Sequence, residues 1–174
     1  MSKQGRGFRA IVVFSCWSLS MGMSWAQTTS EQSSLHGIRN VKVVIERLAP
    51  DVERDGLTLN QIRTDVELAL RQAGLRVQSA ESTGTEPGNP YLYVNLMTTK
   101  SEVLYAFTSY LYSLQVSLYQ DVMLAREPST TLSALTWQTK VLGSVPTANV
   151  LDLRKILHDS VEQFLNAYLA ANPK

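Results

Sequence analysis

Alternation with a period of two, renewed three times between Tyr91 and Leu142, constrains this chain more than any other feature of its sequence. In Tyr91-Leu-Tyr-Val-Asn-Leu-Met97, the side chains of Leu92, Val94 and Leu96 fall on one face of a strand. Those of Tyr91, Tyr93, Asn95 and Met97 fall on the other. A second β-rich run extends from about Tyr105 to Leu124. Leu114, Val116, Leu118, Val122 and Leu124 share one face there, and Ser113, Gln115, Ser117, Tyr119 and Asp121 share the opposite one. Ser133 to Leu142 is a third run, centred on Trp137. Strands that alternate in this way are buried on one side only, so the pattern predicts a sheet with one packed face and one open face. Thr98 to Glu102 reads as a polar connection, and Arg126-Glu127-Pro128-Ser129 as a turn.

Elements on either side of these runs supply the packing layer. Val41-Lys-Val-Val-Ile-Glu-Arg-Leu48 is rich in β-branched residues and reads as a strand ended by Pro50, which has no N–H to donate to a ladder. Thr58 and Gln61 match a capping box, in which each side chain satisfies a free backbone N–H at a helix start. Ile62, Val66, Ala69 and Ala73 then recur at helical spacing, and Gly74 suits the left-handed residue that closes a helix, so the spacing predicts a helix over 59–73. Leu75 to Ser79 reads as a short strand, and residues 80–90, with two prolines and two glycines, as a loop. Val150, Leu153, Leu157, Val161, Phe164 and Tyr168 trace one face of a second helix, 150–170, with Pro173 beyond its end. The order βαββββα predicts an α+β two-layer sandwich: about five largely antiparallel strands with two helices on one face.

The amino terminus bears on compartment. Lys3, Arg6 and Arg9 precede an apolar run from Ala10 to Met23, and Ser24-Trp25-Ala26 places small residues where a signal peptidase reads. This is the layout of a secretory signal peptide, residues 1–26, with cleavage expected between Ala26 and Gln27. A spanning helix needs roughly 20 consecutive apolar residues, and this run is interrupted by Ser15, Ser18, Ser20 and Gly22. Cys16 as a lipidated residue would follow Val13-Phe14-Ser15, where bulky Phe14 fits poorly. Residues 27–36 are polar and without period, which reads as a flexible leader. Residues 37–174 then form a single domain. The location this implies is periplasmic or secreted, with no integral membrane span once the signal is removed.

Removing residues 1–26 takes away the chain's one cysteine, and with it any disulfide, thiol nucleophile or thiolate metal site. It also removes three of the 16 basic residues while leaving all 15 acidic ones, so the remainder is slightly acidic. No long basic block remains, which argues against nucleic acid as a partner. The catalytic inventory is thin. His36 lies in the leader; His158 sits beside Asp159 on the second helix, where adjacent residues point in different directions. No zinc, nucleophile-elbow or phosphate-loop pattern occurs, and the reading includes no cofactor. Asp51/Glu53 and Asp65/Glu67 read as solvated carboxylates, and Asp55-Gly56 as a turn rather than a calcium loop.

The candidate binding surface is the open sheet face, carrying Tyr91, Tyr93, Asn95, Gln115 and Tyr119. Such residues combine apolar area with hydrogen-bonding tips. The same residue types also suit any exposed pleat. Trp137 reads as a core anchor.

The stretches Gly56 to Gly74, Pro90 to Leu96, Thr136-Trp137 and Phe164 to Pro173 resemble a widespread family of uncharacterised secreted bacterial proteins. That resemblance spans most of residues 37–173 and implies neither an activity nor catalytic residues. The element order is similar to that of cell-envelope modules such as the lipopolysaccharide-assembly lipoprotein and the amino-terminal domain of TolB, a likeness of architecture only.

Three functions fit these readings. The first is a non-enzymatic periplasmic or secreted binding or assembly module whose partner is a protein or other envelope component. The second is a small hydrolase or ligand-binding protein with Asp121, Arg126 and Glu127 near one strand end. The third is a structural envelope protein that forms a homodimer through an edge strand.

Overall fold

A computed structural model describes residues 29–78, 86–103 and 107–173. The expected signal segment and cleavage site lie outside these residues. Helix α1 (Thr29–Ser33) precedes strand β1 (Asn40–Ile45), the short helix α2 (Pro50–Arg54) and helix α3 (Leu59–Gln72). Strands β2 (Arg76–Gln78), β3 (Tyr91–Val103), β4 (Phe107–Leu124) and β5 (Glu127–Pro146) follow. A 3₁₀ turn at Thr147–Asn149 then leads into helix α4 (Asp152–Ala171). No helix among the described residues is long and apolar enough to cross a membrane.

The five strands form one sheet in the order β2-β1-β3-β4-β5. The α+β sandwich is present, but the sheet is mixed. β1 pairs parallel with both β2 and β3, whereas β3–β4 and β4–β5 are antiparallel. The reason is α3: a helical crossover between β1 and β2 returns the chain to the end where β1 began, so the two strands run the same way.

Both long helices lie on one face. Leu92, Val94, Leu96, Leu114, Val116 and Leu118 of the sheet form one buried cluster with Ile62, Val66 and Leu70 of α3 and Leu157, Val161 and Phe164 of α4. The α3 start is the expected capping box: Gln61 N–H donates to Thr58 Oγ1 at 3.3 Å and Thr58 N–H to Gln61 Oε1 at 2.9 Å. At its end Gly74 has φ +95° and Leu75 N–H donates back to the Leu70 carbonyl at 3.0 Å, with Leu75 buried. Trp137 is a core residue, edge-on to Phe164 with centroids 5.2 Å apart.

Several elements depart from the expectations. Thr98 to Glu102 is not a connection: β3 continues through it, paired with β4. Ladder hydrogen bonds come from the backbone, so polar side chains do not end a strand that has a partner. The Lys100 ammonium lies 5.6 Å from the ring centroid of buried Tyr110. The turn comes at residues 125–126, and Glu127 and Pro128 already belong to β5, where a proline is tolerated because β5 is an edge. A bulge at Thr136 lets Leu118 face Trp137 and Tyr119 face Leu135. It re-aims the strand, so Trp137 is 1% exposed and Leu135, only two residues away, is 42% exposed.

The expected flexible leader is ordered where it is described. Leu35 is 0% exposed within the core, and His36 and Gly37 dock on the end of α4. There His36 Nδ1 lies 2.9 Å from the Ala171 carbonyl, Gly37 N–H donates to Asn172 Oδ1 at 2.8 Å, and Asn172 Nδ2 donates to the Leu35 carbonyl at 3.0 Å. One apolar residue in a polar stretch carries no periodicity, so its burial left no pattern to read.

Candidate functional site

The sheet face opposite the helices carries the five predicted site residues, and three of them touch. Tyr91 and Tyr119 face each other across the β3–β4 ladder with rings stacked, centroids 5.1 Å apart and planes within 7°. Tyr93 meets Tyr119 edge-on at 6.2 Å and 85°. Both geometries suit the ring quadrupole, and such pairs contribute about 0.5–1.5 kcal/mol each beyond burial. The Tyr93 hydroxyl donates to Glu46 Oε2 at 2.8 Å, and that carboxylate, with some burial, holds the phenol above its ordinary pKa. Glu46 lies one residue past β1 and gave no sequence signal.

Gln115 stands opposite Asn95 on β3 and Lys140 on β5. Its Nε2 donates to Ser117 Oγ at 2.9 Å and reaches Gln138 Oε1 at 3.5 Å. Ser117 is fully buried although it sits on the open face, where its hydroxyl accepts that bond from Gln115. The result is a cluster of three tyrosine rings in mutual contact, bordered by the amide side chains of Asn95 and Gln115, all five half-buried. At the far end of the same face, Met97 and Leu142 flank Ser113 along one row of the ladder, with Leu111 two residues away, and all three apolar side chains are exposed. Among the described residues, the face offers apolar area and amide hydrogen bonds.

The alternative set does not converge. Asp121, Arg126 and Glu127 are all exposed, no hydrogen bond or ion pair joins them among the described residues, and Glu127 accepts instead from the Ser129 hydroxyl. A groove of about 490 Å³ lies elsewhere, between α3 and α4, lined by Leu68, Ala69, Leu151, Lys155 and His158. At its base Arg154 grips Asp65 with two bonds of 2.9 Å, which raises the Arg154 pKa. His158 is exposed and lies 4.0 Å from Glu162, while Asp159 pairs with Lys155, so His158 and Asp159 do not act on each other. Among the described residues no three His, Cys, Asp or Glu side chains are placed to share a metal ion.

A tight cluster sits at the α2–α3 corner. Buried Tyr110 donates to Asp55 Oδ2 at 2.6 Å, and Lys100 Nζ lies 3.5 Å from the same oxygen. The Tyr110 bond, with Lys100 assisting, holds the Asp55 carboxyl below its ordinary pKa. Burial first, and then Asp55, pushes the Tyr110 phenol far up. Both partners occupy their most stable charge states at neutral pH, which suits a clamp on the turn rather than a reactive pair. The Asp55-Gly56 pair is therefore a turn tied to β4.

No family model matches the chain, and no curated protein matches it. Among solved structures, it is similar to a minor lipoprotein from Acinetobacter baumannii at 13% identity and TM-score 0.41, over 78% of this chain and 93% of that one. It is also similar to the rare lipoprotein B of Shewanella oneidensis (9% identity, TM-score 0.40, 76% and 95% covered). A hypothetical protein from Chlamydia trachomatis gives 10% identity and TM-score 0.47, with 76% and 98% covered.

Proposed function

We propose that this chain is a non-enzymatic binding or assembly module of the bacterial cell envelope, exported to the periplasm or beyond. It engages its partner through the sheet face bearing Tyr91, Tyr93, Asn95, Gln115 and Tyr119. The observation that carries the reading is the contact of three tyrosine rings, with their amide border, on a face that no described element of the chain covers. Rings already held against each other and against Glu46 lose little freedom when a partner lands on them, so more of the contact energy survives as affinity. Support for export is the basic, apolar and small-residue layout of residues 1–26.

The test compares the wild type with a Tyr93→Ala/Tyr119→Ala variant as affinity baits in envelope extracts, after both are confirmed folded by their melting transitions. A partner retained by the wild type and lost by the folded variant supports the reading. Equal retention by both removes the tyrosine face from it. Fractionation of the producing cells and the mass of the purified chain test export and the expected start at Gln27.

A further inference from the structure

We propose that the free edge of β5 pairs antiparallel with the same edge of a second copy of this chain, joining two sheets into one. Among the described residues the sheet ends in two unequal edges: β2 has three residues, and β5 has twenty. A long edge presents a row of unpaired N–H and C=O groups, and proteins that must stay monomeric guard such rows with charges, prolines, bulges or cover. Among the described residues, β5 is guarded only in its first half. Pro128 lies near its start, and the bulge at Thr136 is capped by Ser34 Oγ, which donates to the Thr136 carbonyl at 3.2 Å. Beyond it, from Trp137 to Val145, Lys140 is the single charged residue. Among the described residues, no hydrogen bond ties a main-chain group of 137–145 to any element but β4.

The side chains on this half select a second copy over a foreign strand. On the open face they run Gln138, Lys140, Leu142 and Ser144, and Leu142 is 71% exposed. A two-fold axis perpendicular to the sheet at Leu142 sets the two Leu142 side chains against each other. It places each Lys140 opposite the partner copy's serine, with Val141 opposite glycine on the inner face. Apolar meets apolar, and the like charges are not opposed. Cross-strand pairs of this kind are what stabilise a ladder. A shift that put the axis at Lys140 would oppose two ammonium groups, so the charge pattern also selects the register. The same axis keeps the open faces of both copies on one side, so the two tyrosine clusters share one surface. The pairing does not depend on what those tyrosines bind.

Sedimentation equilibrium of the purified chain over a dilution series tests the proposal. A reversible dimer is expected. Leu142→Lys places two further ammonium groups at the axis on an exposed position. It should weaken the dimer at least tenfold while leaving the circular dichroism spectrum unchanged. Leu142→Cys, in a Cys16→Ser background, should form an intermolecular disulfide on mild oxidation, and Leu135→Cys should not. The Tyr93→Ala/Tyr119→Ala variant should dimerise as the wild type does, which keeps this outcome separate from the function proposed above. A wild type that is monomeric at every concentration overturns the pairing. So does a dimer indifferent to Leu142→Lys and not cross-linked through Leu142→Cys. A monomer that binds a peptide of residues 137–146 would assign the edge to a separate strand and also overturn it.

Discussion

Gly143 stands directly opposite Tyr112 on the β4–β5 ladder, and a Cβ on Gly143 would lie 2.5 Å from the tyrosine Oη and 2.8 Å from its Cζ. The tyrosine ring therefore lies over the space that glycine leaves, on the face packed toward the core. Glycine is demanded here by this close approach, since its backbone is not among those with positive φ.

Gly143→Ala forces that ring to move or the strands to part, and overpacking of this kind costs about 1–3 kcal/mol. Urea unfolding should show a loss in that range for Gly143→Ala. Combined with Tyr112→Ala, the same substitution should cost clearly less, because the ring it strikes is gone. Equal cost in both backgrounds would mean that the two residues are not coupled.

Leu35 makes a second case. It is fully buried, among residues that would be dispensable if the polar segment before the domain were mobile. Leu35→Ala should cost about 2–5 kcal/mol, the range for a buried leucine. Asn172→Ala, which removes the side chain bonded to Leu35 and Gly37, should add amide exchange in residues 35–38 with a smaller global loss. A Leu35→Ala protein as stable as the wild type would return this segment to the status of a leader.

Legibility of the fold follows the length of each periodic signal. The alternation at Leu92, Val94 and Leu96 and at Leu114, Val116 and Leu118 showed which face is buried, and the spacing of Ile62, Val66 and Ala69 showed what covers it. The parallel pairing of β1 was not legible, because a one-face pattern is the same whichever way a neighbour runs. Nor was the bulge: Leu135 and Trp137 look equivalent in a period of two, and only the register with β4 separates them. At the candidate site, the facing of Tyr91, Tyr93 and Tyr119 was readable from parity. The stacking of Tyr91 on Tyr119 depends on the β3–β4 register, and the reach of Tyr93 to Glu46 on β1 lying beside β3, a neighbour that chain order does not give.

Arg154 and Asp65 join the two long helices by a bidentate pair, yet both side chains are about one-third exposed. Solvent screens such a pair, and exposed pairs contribute roughly 0–1 kcal/mol. Arg154→Ala should therefore lower stability by about 1 kcal/mol or less, and added salt should narrow the difference from the wild type. A loss of several kcal/mol would mean that the helix layer depends on this contact rather than on the packing of Val66 against Leu157 and Val161.

Tyr110 and Asp55 make the chain's stability respond to pH at both extremes. The folded Asp55 carboxyl sits below its unfolded value, first because Tyr110 donates to it, so it binds a proton less readily folded than unfolded. Its contribution is complete above about pH 4, the ordinary aspartate value, and is lost as pH falls through the lower folded value. Tyr110 runs the other way: burial and the Asp55 charge raise its pKa, so the folded state keeps the phenol proton longer. That contribution is complete below about pH 10, the ordinary tyrosine value, and declines as pH rises beyond it. Tyr110→Phe removes the phenol and its bond to Asp55 while leaving the buried ring and the smaller effect of Lys100 on the carboxylate. The difference in unfolding free energy between wild type and Tyr110→Phe should be constant from about pH 5 to about pH 9 and shrink on either side. A difference that stays level on both sides would show that the Tyr110–Asp55 bond does not hold the α2–α3 turn onto β4 in solution.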